Sequence, residues 1–199
     1  MAMTTDADST RERIITAATA EFARHGIAGA RIDRIAKAAR TSKERLYAHF
    51  RSKEALYTTV AAAELAAVAD ATRLDPADLP AYAGRIHDYF TAHPERLRLM
   101  SWGRLELGGT VGPAPDRDDP VRAAARRKTE QLREAQKAGR LDASWDPADV
   151  LMFVNQLAMA WVGQADLTPA DEPARTAFLA ARRTAIVTAV QRLFPTWET

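Results

Sequence analysis

Residues 31–53 read RIDRIAKAARTSKERLYAHFRSK, and the fold of the whole chain hangs on this stretch. Apolar residues recur three and four apart at Ile32, Ile35, Ala36 and Ala39, and again at Leu46 and Phe50. That spacing puts each set on one face of a short helix. Arg40-Thr41-Ser42 connects the two, and its serine is a good cap for the helix that follows. The small side chain of Ala36 lets the helices approach closely, and the second then projects Lys43, Glu44 and Arg45 outward. Two short helices with a basic second member suggest a helix-turn-helix, whose second helix meets base edges through its N-terminal residues.

Upstream, Ser9 and Glu12 stand at the spacing of a capping box, and Ile14, Ile15, Ala18 and Phe22 mark one apolar face of a first helix. Gly26 is expected to stop it, with His25 in the last turn. Downstream, Ser52 is expected to cap a fourth helix from Lys53 to about residue 73, before Pro76 and Pro80 interrupt. Further helices are expected at about 81–92, 95–107, 121–138, 147–164 and 172–194, about nine in all, with prolines or glycines at each junction. Residues 108–120, GGTVGPAPDRDDP, read as the least structured stretch and as the edge of a ligand entrance. The fold class is therefore all-α. The domain reading is a disordered leader at 1–9, a DNA-binding head at 10–53 and a regulatory body at 54–199.

Charge distribution supports a nucleic-acid partner. Residues 31–53 hold eight Lys/Arg against two Asp/Glu, while the 199-residue chain has a net charge of only +2. A basic head on a mildly acidic body is the footprint expected for a phosphate backbone, although a solvated charged face is the plainer alternative. The chain has no cysteine, so it has no disulfide framework and no thiolate metal site. No apolar run nears the ~18 residues needed to span a bilayer, and a cytoplasmic address without a membrane partner is expected. Neither a phosphate-cradling glycine loop nor a nucleophile elbow is present. His87-Asp88 and His93-x-Glu95 lack a third ligand and read as parts of a surface helix. No catalytic residue, metal or cofactor is expected.

The string Gly26-Ile27, then Ile35-Ala36-x-Ala38-Ala39, then Ser42-Lys43-x-x-Leu46-Tyr47-x-His49-Phe50-x-Ser52-Lys53-Glu54-x-Leu56 resembles the TetR/AcrR-type regulators. The resemblance implies that Lys53 holds a phosphate, at a helix N-terminus that itself favours anions. It implies backbone contacts from Tyr47 and His49, and base contacts from Lys43 and Arg45. Packing of Tyr47 beside Leu46 and Phe50, and a plain surface role for His49, stand as alternatives. Arg31 replaces a usual threonine, yet would still reach a phosphate. Arg40 replaces a glycine at a place that tends to need a positive φ, and Thr41 replaces a valine. Arg45 and Ala48 also depart from the family habit. With Ser42, these residues make up the expected DNA-binding set.

The resemblance makes the body a sensing and dimerising domain. Leu151, Val154, Ala158 and Trp161/Val162 form one apolar stripe, and Phe178, Leu179, Ile186, Ala189, Val190 and Leu193 another. They suit either a homodimer through residues about 147–194 or the subunit's own core. Tyr89, Phe90, Trp102, Met152, Phe153, Asn155, Gln156 and Met159 offer the mix that lines a small-molecule cavity, with ordinary core as the alternative. The expected function is a homodimeric repressor, released from a palindromic double-stranded DNA operator by an unidentified small-molecule effector. The rivals are a DNA-binding architectural protein without ligand control, and an enzyme or carrier with an incidental basic head.

Overall fold

A computed structural model describes the backbone of residues 3–107 and 120–195, and side chains from residue 9 within those ranges, beginning again at 122 after the gap. All regular structure among these residues is helical. The helices are α1 (Met3–Gly29), α2 (Ile32–Ala38), α3 (Lys43–His49), α4 (Lys53–Ala71), α5 (Leu79–Ala92), α6 (Pro94–Glu106), α7 (Pro120–Lys137), α8 (Pro147–Met159) and α9 (Glu172–Leu193). A single 3-10 turn, Ala165–Leu167, lies before α9. The stretch expected to edge a ligand entrance lies, but for Pro120, outside the described residues.

Two start signals resolve differently from expectation. The first helix begins at Met3, reaching back into the stretch read as a leader, so Ser9 is not its cap. Ser9 Oγ instead accepts from Arg13 Nη1 at 3.2 Å. The prolines act less as interruptions than as first-turn residues. Pro80 and Pro147 sit at the starts of α5 and α8, where a missing N–H costs nothing. Aspartates complete these ends: Asp78, Asp146 and Asp171 each accept from a first-turn backbone N–H. Helix α8 stops at Met159, five residues earlier than expected.

The described residues gather into two compact units. One takes the residues through Ala66 together with those from Glu95 to Leu107, and the other takes the remainder. The core of the first unit runs from Ile14, Ala18 and Phe22 on α1 through Ile35, Ala36 and Leu46 to Leu56, Tyr57, Val60 and Leu99. The head's apolar core thus extends beyond residue 53. The second unit buries Leu79, Tyr82, Ile86 and Phe90 of α5 with Leu132, Val150, Val154, Ala158, Ile186, Val190 and Phe194. Its α5 packs on both α8 and α9.

One polar contact fixes α4 to α6 in the first unit. The buried Tyr57 hydroxyl donates to the Leu99 carbonyl at 2.8 Å, and its ring stands edge-on to Phe22 at 5.3 Å. Burial pushes the Tyr57 phenol up, which keeps it a donor. Gly103 leaves room for that ring: a Cβ there would meet Tyr57 Cζ at 3.1 Å and overlap its oxygen. Gly103→Ala is expected to destabilise the protein by about 1–3 kcal/mol through overpacking, read as a lower urea midpoint at unchanged slope. An unchanged midpoint would show that α4 and α6 can part at this point without cost.

Candidate nucleic-acid interface

The reading helix owes its position to three local devices. Leu46 is fully buried, and its burial is worth roughly 1.5–3 kcal/mol, so one face of α3 is committed inward. Ser42 caps the N-terminus, its Oγ accepting from Arg45 N at 3.2 Å. The turn before it is a Schellman motif: Arg40 N–H donates to Lys37 O at 3.1 Å and Thr41 N–H to Ala36 O at 3.0 Å. That motif requires a left-handed residue, and Arg40 has φ 52°. The positive φ expected from sequence is present, in the one non-glycine residue among those described to adopt it. The same motif ends α7, where Gly139 takes φ 70°.

With Leu46 inward, Lys43, Glu44, Arg45, Tyr47 and Ala48 are exposed, and His49 is half-buried. Lys37, Arg40, Thr41, Ser42, Glu44 and Arg45 line one open surface concavity, which brings the turn and the start of α3 onto a common face. Tyr47 is 40% exposed, so its ring is not a core group. Lys43 makes a loose 3.6 Å ion pair with Asp33 across α2, which an incoming phosphate can outcompete. The Glu44 carboxyl is held below the ordinary carboxylate range, first by its own backbone N–H and then by Ser42. It therefore stays anionic among the cations. Thr41 Oγ1 is buried without a hydrogen-bond partner among the described residues, the unmet hydroxyl its place in the turn leads one to expect.

Arg31 is the N-cap of α2, not its first residue. Its side chain is exposed, and its backbone N–H donates to Glu21 Oε1 at 3.0 Å. Lys53 has internal partners: Nζ donates to Ala28 O at 3.1 Å and Ala30 O at 3.4 Å. An ammonium has three N–H groups, so one remains for an external acceptor.

Three residues that local reading missed hold the head together. At Gly26 the backbone kinks to φ 71°, ψ −177°. The kink restarts the helix and leaves new N–H groups open, and Glu106 of α6 accepts both, from Ile27 N at 3.0 Å and Ala28 N at 2.6 Å. Arg13 Nε donates to Ala39 O at the end of α2 at 3.2 Å. The Arg11 guanidinium lies 5.7 Å from the Phe50 ring centre, adding a cation at the end of α3. These contacts span 26 to 79 residues, so no local pattern signals them.

The residues expected from sequence to line a ligand cavity differ in exposure and in the unit they belong to. Phe90 is buried in the core of the second unit, while Met152, Phe153 and Gln156 are exposed. Tyr89, Asn155 and Met159 are half-buried, and Trp102 belongs to the first unit, packed beside Gly26. The α8 and α9 stripes divide similarly. Leu151, Val154, Ala158, Ile186 and Val190 are buried in their own unit, Trp161, Val162, Phe178, Leu179 and Ala189 are half-buried, and Leu193 is exposed. The surface-helix reading of His87 is overturned: it is 1% exposed, with Nδ1 unpartnered among the described residues. Its neighbour Asp88 pairs with Arg183 at 2.8 Å. Helix α5 turns His87 onto its core face, one turn after Ala83.

Known proteins carry the same organisation. Residues 14–60 match "Bacterial regulatory proteins, tetR family", and residues 78–192 match "Tetracyclin repressor-like, C-terminal domain". The HTH-type transcriptional repressor SCO4008 of Streptomyces coelicolor is 38% identical over 153 residues, 77% of this chain and 78% of the relative. The solved structure of a transcriptional regulator from the same organism, SCO4942, is 54% identical with TM-score 0.79, covering 94% of this chain and 98% of its own. TylP, a TetR regulator from Streptomyces fradiae, is 25% identical with TM-score 0.65, covering 94% and 87%.

Arg40→Gly is expected to raise stability by about 0.5–1 kcal/mol, because relief of the left-handed strain exceeds the entropy that glycine adds to the unfolded chain. It should also weaken DNA binding by removing a cation from the reading face. Thermal unfolding and a salt titration of DNA binding measure the two effects, and a fall in stability would mean the turn is unstrained.

Proposed function

The chain belongs to the TetR family of bacterial regulatory proteins, and we propose that it is a homodimeric repressor whose two helix-turn-helix heads grip a roughly palindromic operator. The observation that carries this reading is the division of α3. Leu46 is buried, and Lys43, Arg45 and Tyr47 are exposed together at the end of the helix that meets base edges. Arg45, whose guanidinium can fork onto a guanine, is the principal base reader. Lys43 is the second, and Tyr47, His49, Arg31, Arg40 and Lys53 hold the phosphates. Family membership supports a regulator over an enzyme. Among the described residues, no helix is long and apolar enough to cross a membrane.

The dimer forms through residues about 147–194. Met152, Phe153 and Leu193 are exposed apolar groups that a second copy would cover, since Leu151, Val154, Ala158, Ile186 and Val190 are committed to the subunit's own core. A small-molecule effector binds the body and favours a conformation that fits DNA poorly, a shift of population driven by differential affinity. Helix α4 is the lever, because the chain passes from one compact unit to the other within it, after Ala66.

Selection from a random DNA pool supplies the operator on which two variants are measured. Arg45→Ala should cost about 1–3 kcal/mol and relax preference at one base position. Equal losses on operator and random DNA would remove its base-reading role. Lys53→Ala should weaken binding to all sequences and lower the salt slope by about one unit. If the slope stays constant, Lys53 is only an internal clamp on the Ala28 and Ala30 carbonyls. A sequence-tolerant footprint that no small molecule alters would favour an architectural protein.

A further inference from the structure

The second unit holds a polar relay that the DNA-binding reading does not use. Tyr82 of α5 is 1% exposed, and its hydroxyl has two partners on two other helices. Lys128 Nζ of α7 donates to Tyr82 Oη at 2.9 Å, and Tyr82 Oη donates to Asn155 Oδ1 of α8 at 3.1 Å. The direction of this relay is fixed by chemistry. An ammonium can only donate, so the phenol must accept from Lys128 and pass its own hydrogen on. The amide of Asn155 therefore presents oxygen to Tyr82 and turns Nδ2 away. Burial pushes the Tyr82 phenol up to about 12, so it keeps that hydrogen.

What the relay leaves over is donors. Two N–H groups of Lys128 and the Asn155 Nδ2 have no hydrogen-bond partner among the described residues. Lys128 is half-buried, with its ammonium 5.0 Å from the Tyr82 ring centre. Among the described residues no carboxylate stands within ion-pair distance of it, which sets it apart from Lys137, paired with Glu134 at 2.7 Å one helical face away. Burial pushes the Lys128 ammonium down from its ordinary value. A desolvated cation with no carboxylate beside it among the described residues is costly, and donors on two helices braced by one hydroxyl are matched by an oxyanion.

We propose that Lys128 and Asn155, braced by Tyr82, bind an organic carboxylate. Lys128 supplies the charge, Asn155 supplies a second donor to the same group, and Tyr82 holds both in register. The identification of this carboxylate as the effector's anchoring group rests on the ligand-released reading above.

The test follows the five lysines of the full-length protein by NMR with 13Cε-lysine labelling, titrating sodium acetate against sodium chloride at constant ionic strength. The Lys128 signal should move saturably, with a half-saturation at least tenfold below that of Lys137, while acetamide leaves it unmoved. Asn155→Asp keeps the shape but places a carboxylate beside the ammonium, and should bring the Lys128 response down to the Lys137 level without altering the other four signals. A wild-type Lys128 that tracks Lys137, or that answers acetamide as it answers acetate, overturns the site. Operator affinity measured in parallel separates the two readings. Acetate binding at Lys128 with unchanged operator affinity supports the carboxylate site and counts against ligand release. A compound that frees the protein from the operator while Lys128 stays silent overturns the site and leaves ligand release standing.

Discussion

A helix of seven residues does not hold itself together in water, so everything α3 does depends on the burial of Leu46. The side chain has no exposed surface, and its contacts with the α1 and α2 faces set the rotation of α3 about its axis. Once that rotation is fixed, helical geometry leaves Lys43, Arg45 and Tyr47 no choice but to face outward. The Ser42 cap adds the first-turn hydrogen bond and sets where the helix begins. Apolar packing thus decides which polar groups of α3 face outward, and the charged residues contribute little to placing themselves.

The head is closed by side chains that satisfy backbone groups from far along the sequence. The kink at Gly26 opens N–H groups that Glu106 accepts, and the turn that follows leaves carbonyls that Lys53 binds. Tyr57 ties α4 to α6 through the Leu99 carbonyl. Because Leu56, Tyr57, Val60 and Leu99 share the head's core, the three-helix motif, the first part of α4 and α6 are one packing problem. A fragment ending at residue 53 would lose both this apolar cover and the Glu106 carboxylate.

Much of this was legible in the sequence, and the boundary of legibility has a physical cause. Periodicity and caps depend on residues within one or two turns, so most helices and the Ser42 cap could be read locally, while the Arg40 anomaly came from the family resemblance. Family resemblance carried the roles of Lys43, Arg45 and Tyr47, which the structure leaves exposed. It could not show that Lys53 is already engaged with Ala28 and Ala30, since nothing in SKE specifies a partner 25 residues away. The Met and aromatic residues expected to line a cavity differ in exposure: α8 turns Met152 and Phe153 outward, and Phe90 lies in the core. Tyr82 and Lys128 went unremarked, as a tyrosine amid an amphipathic helix and a lysine in a basic one give no warning that they meet.

The two Schellman ends show where this chain departs from its own rules. Helix α7 ends in Gly139, which adopts φ 70° without a Cβ penalty. Helix α2 ends in Arg40, which adopts φ 52° against that penalty, although a glycine there would fold more easily. Packing does not demand an arginine, since its side chain is exposed. What the position offers is a cation on the same concavity as Lys37 and Arg45, immediately before the reading helix. The unmet hydroxyl of Thr41, next in the chain, compounds the strain. Local structure and folding economy would both choose otherwise at 40 and 41. The conflict falls on the concavity that Arg40 and Thr41 share with Lys37 and Arg45, the face we propose meets DNA.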